Sequence, residues 1–193
     1  MDASTVQTGK PMTRSSYVER ALFMMGDPDT GKSKQLRSMF LDWRLGTSGE
    51  IPSANNVRNS YPLGNERRLY LRLTSPHEAG DTMKEFLDTC AGQMQSGTGR
   101  WCRWNFAGAL QVSQANNLPP GTEVIEKFIT RFAPERVRAV ILSPDRSGIE
   151  LETSDLRQLI QDLRSLTGCE VMMVDATSLD ANGLMYADFF DFT

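Results

Sequence analysis

The run Gly26-Asp27-Pro28-Asp29-Thr30-Gly31-Lys32-Ser33 carries the clearest chemistry in this chain. A loop that grips a phosphate-like anion must present backbone N–H groups, and side chains at its turning points would block the approach. Gly26 and Gly31 carry no Cβ at those points. Lys32 adds a point charge, and the Ser33 hydroxyl is an oxygen donor of the kind a hard cation such as Mg²⁺ accepts. Asp27, Pro28, Asp29 and Thr30 fill the positions between the glycines, and Lys34 follows with a second ammonium. A helix beginning near Gly31 would turn the positive end of its dipole toward the same anion. Asp27 and Asp29 are the discordant feature, two negative charges in a loop suited to anions.

The spelling G-x-x-x-x-G-K-S resembles the Walker A motif of the P-loop NTPase superfamily. The resemblance implies that residues 26–34 hold the phosphates of a nucleotide. Lys32 would reach the β- and γ-phosphates, and Ser33 would ligate Mg²⁺. It also implies a carboxylate that steadies Mg²⁺ through water at the end of an apolar strand. Two positions compete for that role. Asp145 ends Ala139-Val140-Ile141-Leu142-Ser143-Pro144 and opens Asp-Arg-Ser-Gly, a spelling similar to the D-x-x-G element of switch-type members. Asp175 ends Val171-Met172-Met173-Val174, the cleaner apolar run. Last strands in such sheets usually lie at an edge, which favours Asp145. Arg146, beside it, is the first candidate for a cation that stabilises transferring phosphate, ahead of Arg131 and Arg136. The N/T-K-x-D element that reads guanine is absent from the sequence, which points to ATP.

The elements that must position these residues follow from hydrophobic spacing. Tyr17 to Met25 is short and apolar, as a buried parallel strand is. Residues 34–45 place Leu36, Met39, Phe40, Trp43 and Leu45 at helical spacing. Residues 46–66, rich in Gly, Pro and Asn, form a long loop that the resemblance places near the γ-phosphate. Arg68 to Leu73 alternates as a half-buried strand, and residues 78–95 read as one helix. Residues 100–110 interleave Arg100, Trp101, Arg103 and Trp104. This is either a half-buried strand or short helix, or a surface for stacking single-stranded nucleic acid. Helices over 122–132 and 154–166 alternate with strands over 137–142 and 171–174. The aromatic-acidic tail, residues 186–193, reads as a segment docked on its own chain.

This alternation predicts an α/β fold, a three-layer sandwich around a mostly parallel sheet of about five strands. A mobile leader is expected over residues 1–16 and a single domain over 17–193. Ligands in such sheets bind beyond the carboxyl ends of the strands, where the loop, Asp145 and Asp175 all fall.

A net charge of −3 supplies no global field toward nucleic acid or anionic membrane, so a DNA partner would need a local patch. Three scattered cysteines suit a reducing, cytoplasmic setting. A single histidine, His77, disfavours a histidine-based zinc site or triad. No apolar run reaches the roughly 20 residues of a membrane span. The leading expectation is an Mg²⁺-dependent ATPase coupled to a protein or nucleic-acid partner, or to further copies of itself. A compact phosphotransferase and a nucleotide-binding interaction protein with little turnover are the alternatives.

Overall fold

A computed structural model describes residues 17–45, 49–53, 60–95 and 102–191. The expected leader, Arg100 and Trp101 lie outside them, as do parts of the 46–66 loop. The first strand, β1 (Tyr17–Met25), stands at the centre of a six-stranded sheet. Around it lie β2 (Ser60–Pro62), β3 (Arg67–Arg72), β4 (Arg103–Leu110), β5 (Arg136–Leu142) and β6 (Cys169–Val174), in the order β2-β3-β4-β1-β5-β6. All neighbours pair in parallel except β2, which runs antiparallel to β3 through Ser60↔Tyr70 and Pro62↔Arg68. The fold is α/β and three-layered as the alternation implied, with one strand more than expected. The extra strand is β2, three residues long and too short to show a period within a turn-rich stretch.

The period of two in β1 divides the core. Ala21, Phe23 and Met25 point to one face, where α3 (Met83–Gln95), α4 (Gly121–Phe132) and α5 (Thr153–Ser165) bring Phe86, Phe128 and Leu163. Phe106 of β4 sits among these rings, 4.8 Å from Phe128 and 5.3 Å from Phe23 between centroids. Leu22 and Met24 point to the other face, covered by α1 (Lys32–Ser38) and α6 (Leu179–Phe189) with Leu36, Tyr186 and Phe190. The short helix α2 (Pro76–Ala79) follows β3.

Several local readings change. The helix expected over 34–45 is the two-turn α1 followed by 3-10 turns at Met39–Leu41 and Trp43–Leu45. Trp43 is not on the buried face; it is 76% exposed. The helix expected over 78–95 is divided by Gly80, whose φ of 75° ends α2 in a left-handed turn. Residues 103–110 are a strand, and Trp104 is buried under the guanidinium of Arg68, 5.8 Å from the ring centre. Trp104 therefore offers no stacking surface. Arg136 and Arg138 hydrogen-bond Glu170 at the amino end of β5, across the sheet from the strand ends that carry the site. That pairing removes Arg136 as a phosphate-stabilising candidate.

Over its described residues, 186–191, the aromatic tail docks as expected; Phe192 and Thr193 lie outside them. The buried Phe189 and Phe190 close the α6 face, and Arg20 donates to the Phe189 carbonyl at 2.6 Å. No described helix is long and apolar enough to cross a membrane.

Candidate functional site

The loop after β1 is curled around one acceptor. The Asp27 carbonyl takes the Thr30 hydroxyl at 2.8 Å and the Lys32 ammonium at 2.5 Å. The Thr30 amide reaches the same oxygen at 3.4 Å. Two residues turn left-handed to make this path, Asp29 with φ 62° and Gly31 with φ 101°. Aspartate tolerates the first. At Gly31 a side chain would be strained and its Cβ would stand 3.1 Å from Arg146 Cβ. Arg146 is tied there by its amide, which donates to the Thr30 carbonyl at 3.1 Å. The sequence places glycine where the backbone requires it.

Beside this loop lies a cleft of about 330 Å³ lined by Asp29, Gly31, Lys32, Ser33, Lys34, Arg37, Glu78 and Arg146. Every side chain in that lining is polar or charged, and four of them are cations: Lys32, Lys34, Arg37 and Arg146. Such a cleft suits an anionic chain of oxygens and offers no flat apolar seat for a base. Pro28, exposed at the loop tip, and Asp27 stand outside the lining.

The side chains proposed to meet phosphate and Mg²⁺ already have protein partners. Lys32 is buried, its side chain 3% exposed, with the ammonium 3.5 Å from Glu78 Oε1. Burial pushes its pKa below the ordinary lysine value, and the carboxylates of Glu78, Asp27 and Asp29 work against that shift. The two discordant acids of the loop thus have an electrostatic role: they help keep a desolvated ammonium charged. Ser33 donates its hydroxyl to the Leu73 carbonyl at 2.9 Å, just past the end of β3.

Of the residues singled out in the sequence, Asp29, Gly31, Lys32, Ser33, Lys34 and Arg146 line one cleft. Asp145 sits next door, with Oδ1 accepting the amides of Ser147 at 2.7 Å and Ile149 at 3.0 Å. Asp175 is exposed, and its Oδ1 accepts the amide and hydroxyl of Thr177, which lower its pKa. Neither carboxylate is in the cleft lining. One described piece of the 46–66 loop does reach the site, since Arg37 donates to the carbonyls of Pro52 at 3.0 Å and Ser53 at 2.5 Å.

Glu78 is the functional candidate that the sequence did not single out. Its signal was an acid just after a strand on the carboxyl rim, hidden inside an apparent long helix. His77 beside it is a structural fastener. Its Nε2 lies 2.8 Å from the Pro119 carbonyl, and its Nδ1 lies 3.5 Å from the Gln111 amide. Those partners require Nε2–H to donate and Nδ1 to accept, so the ring is neutral. Burial lowers its pKa, opposed by the Pro119 hydrogen bond.

A pH dependence follows from that lowered value. The unfolded chain takes up the proton first as pH falls, so stability is lost from about pH 6.5 down toward the folded pKa. Urea unfolding between pH 7.5 and 5.5 is expected to show this loss, with a slope approaching but not exceeding about 1.4 kcal/mol per pH unit, the limit for one proton. A stability that stays flat over that interval would contradict the neutral, buried ring.

The chain matches no family model and no curated protein.

Proposed function

We infer that this chain binds an Mg²⁺-nucleotide, ATP by preference, through residues 26–34 and hydrolyses it, passing its nucleotide state to a protein or nucleic-acid partner. The observation that carries the reading is the single cleft in which Lys32, Ser33, Lys34 and Arg146 converge on a left-handed Gly31. Cations at such a site neutralise charge that develops on the phosphates, which is most of what phosphoryl transfer asks of a protein.

The donors present fit Mg²⁺. Among the described residues no cluster of three or more His, Cys, Asp or Glu side chains forms a metal cage. Mg²⁺ seldom uses one, keeping waters and binding through phosphates with one or two protein oxygens. Ser33 would supply one, and Asp145, with Asp175 as the alternative, would act through water. The ion would supply charge neutralisation at the phosphates. The chain's own part is to hold those phosphates with Lys32, Lys34, Arg37 and Arg146 and to keep the loop in its curled path.

A cytoplasmic location suits the free thiols of Cys90, Cys102 and Cys169. Coupling to a partner fits the tie between Arg37 of the cleft and Pro52–Ser53 of the long loop, which gives bound phosphate a route to that loop.

Phosphate release with Mg²⁺ and either ATP or GTP tests the reading, with and without single-stranded DNA. ATP turnover in preference to GTP is expected. Phosphate appearing on an added acceptor, with little free phosphate, would instead mark a phosphotransferase. Absence of turnover with either nucleotide would leave a binding protein.

A further inference from the structure

We propose that Glu78 is the proton acceptor of this site, taking the proton of the attacking water, and that it competes with phosphate for the Lys32 ammonium. The proposal rests on the nucleotide-hydrolysis reading above and adds the residue which that reading lacks.

Two carboxylates line the cleft, Asp29 on the exposed turn of the loop and Glu78 on α2, and Glu78 is the one carried on an anchored backbone. Its Oε1 lies 3.5 Å from the Lys32 ammonium, and it lines the cleft where the phosphates are proposed to sit. Its side chain is 38% exposed, so water reaches it from that cleft. The backbone beneath it is held from several sides. Ser33 binds the Leu73 carbonyl at 2.9 Å, and His77 fastens to Pro119 at 2.8 Å. Asn116 donates to the His77 carbonyl at 2.5 Å. A side chain on so constrained a backbone keeps its place relative to the loop. Asp145 and Asp175 instead each commit Oδ1 to their own turns.

The contact with Lys32 explains how the residue is released. One ammonium serves two anions in turn. A phosphate entering the cleft takes over the charge of Lys32, and the carboxylate is freed to face the water. In the chemical step a water oxygen bonds to the γ-phosphorus while the bridging β–γ P–O bond breaks. The bonding pair departs on ADP, and the water's proton passes to Glu78, which later yields it to solvent. The products are ADP, inorganic phosphate and one proton.

Two variants and two readouts test this. ATP affinity is measured by titration in the presence of Mg²⁺, and turnover by phosphate release. Glu78→Gln removes the base and the competitor for Lys32 together. It is expected to bind ATP as tightly as wild type, or several-fold tighter, while turnover falls about 100-fold or more, within the range ascribed to a positioned general base. Glu78→Asp keeps the charge on a shorter arm. It is expected to hold the wild-type affinity and lose turnover about tenfold, and it carries the test if Glu78→Gln does not fold. Turnover within threefold of wild type in Glu78→Gln, or ATP affinity weakened tenfold, would overturn the role of Glu78 alone. Wild-type protein that binds ATP without turning it over would overturn the proton transfer and leave nucleotide binding standing. Wild-type protein that does not bind ATP would overturn both readings.

Discussion

Lys32→Ala is expected to weaken ATP binding by roughly 10- to 150-fold, the equivalent of about 1.5–3 kcal/mol for a hydrogen bond to a charged partner. Turnover should fall further, by about 10²–10³, as when a preorganised donor to the transition state is removed. The reason is local. The ammonium is directed into the loop, 2.5 Å from the Asp27 carbonyl and 3.5 Å from Glu78, in a cleft otherwise lined by polar groups. Its loss should do little to the fold, because the Asp27 carbonyl keeps the Thr30 hydroxyl and the partly exposed Glu78 carboxylate can turn to water. Thermal melting of Lys32→Ala is expected within a few degrees of wild type, so that weaker binding reports on the site. Unchanged nucleotide affinity in this variant would sink the phosphate-binding reading of the loop.

Arg67→Ala is expected to cost about 3–5 kcal/mol of stability, the range for removing one partner of a buried ion pair. Arg67 donates to Glu19 Oε2 at 2.7 Å and to the Phe190 carbonyl at 2.6 Å, and it also reaches the Asp191 carbonyl. Arg67 and Glu19 are only 9% and 8% exposed. Alanine would leave a buried carboxylate and the Phe190 and Asp191 carbonyls without their cation. For a domain of this size the loss corresponds to a fall in melting temperature of roughly 6–20 °C. Glu19→Gln should cost less, because it leaves a hydrogen-bonding side chain in place and Arg67 keeps its carbonyl partners. A melting temperature for Arg67→Ala within 2 °C of wild type would contradict the clamp.

Much of the fold was legible because β1, β5 and α4 are written in single, strong periods. Ala21 to Met25 is apolar throughout and Val137 to Leu142 is interrupted only by Arg138, and both lie in buried parallel strands. What the sequence concealed was set by tertiary contacts. The helix α6 carries Asn182 and Gly183, both poor helix formers, and its apolar residues are spread around it. Packing supplies what propensity lacks. A Cβ on Gly183 would stand 2.2 Å from the Ser38 carbonyl, so glycine is what lets α6 lie against α1. Asn182 and Tyr186 both donate to the buried Gln35 Oε1, at 3.2 Å and 3.0 Å. None of those partners is near in sequence.

The site divides in the same way. Its loop is contiguous, so residues 26–34 could be read directly. Glu78 enters the cleft through the strand order and carries no spacing signal relative to Lys32, whereas Arg37 stands one turn of α1 beyond Ser33 and donates to its carbonyl at 3.3 Å. The acids after β5 and β6 were visible as apolar runs ending in Asp, yet visibility did not bring Asp145 or Asp175 into the cleft lining. A carboxylate after a strand marks the correct rim of the sheet. Which one reaches the ligand depends on the turn that follows. At Asp145 the turn takes Oδ1 for its own amides, whereas at Glu78 the short α2 leaves the side chain facing Lys32.

Titration of wild-type protein and Lys32→Ala with ATP in Mg²⁺, followed by calorimetry, tests the central claim most directly. One ATP bound per chain by wild type, and binding weakened at least tenfold in a folded Lys32→Ala protein, is the expected result. Equal binding by the two proteins, or no binding by wild type, would contradict a nucleotide site at this cleft.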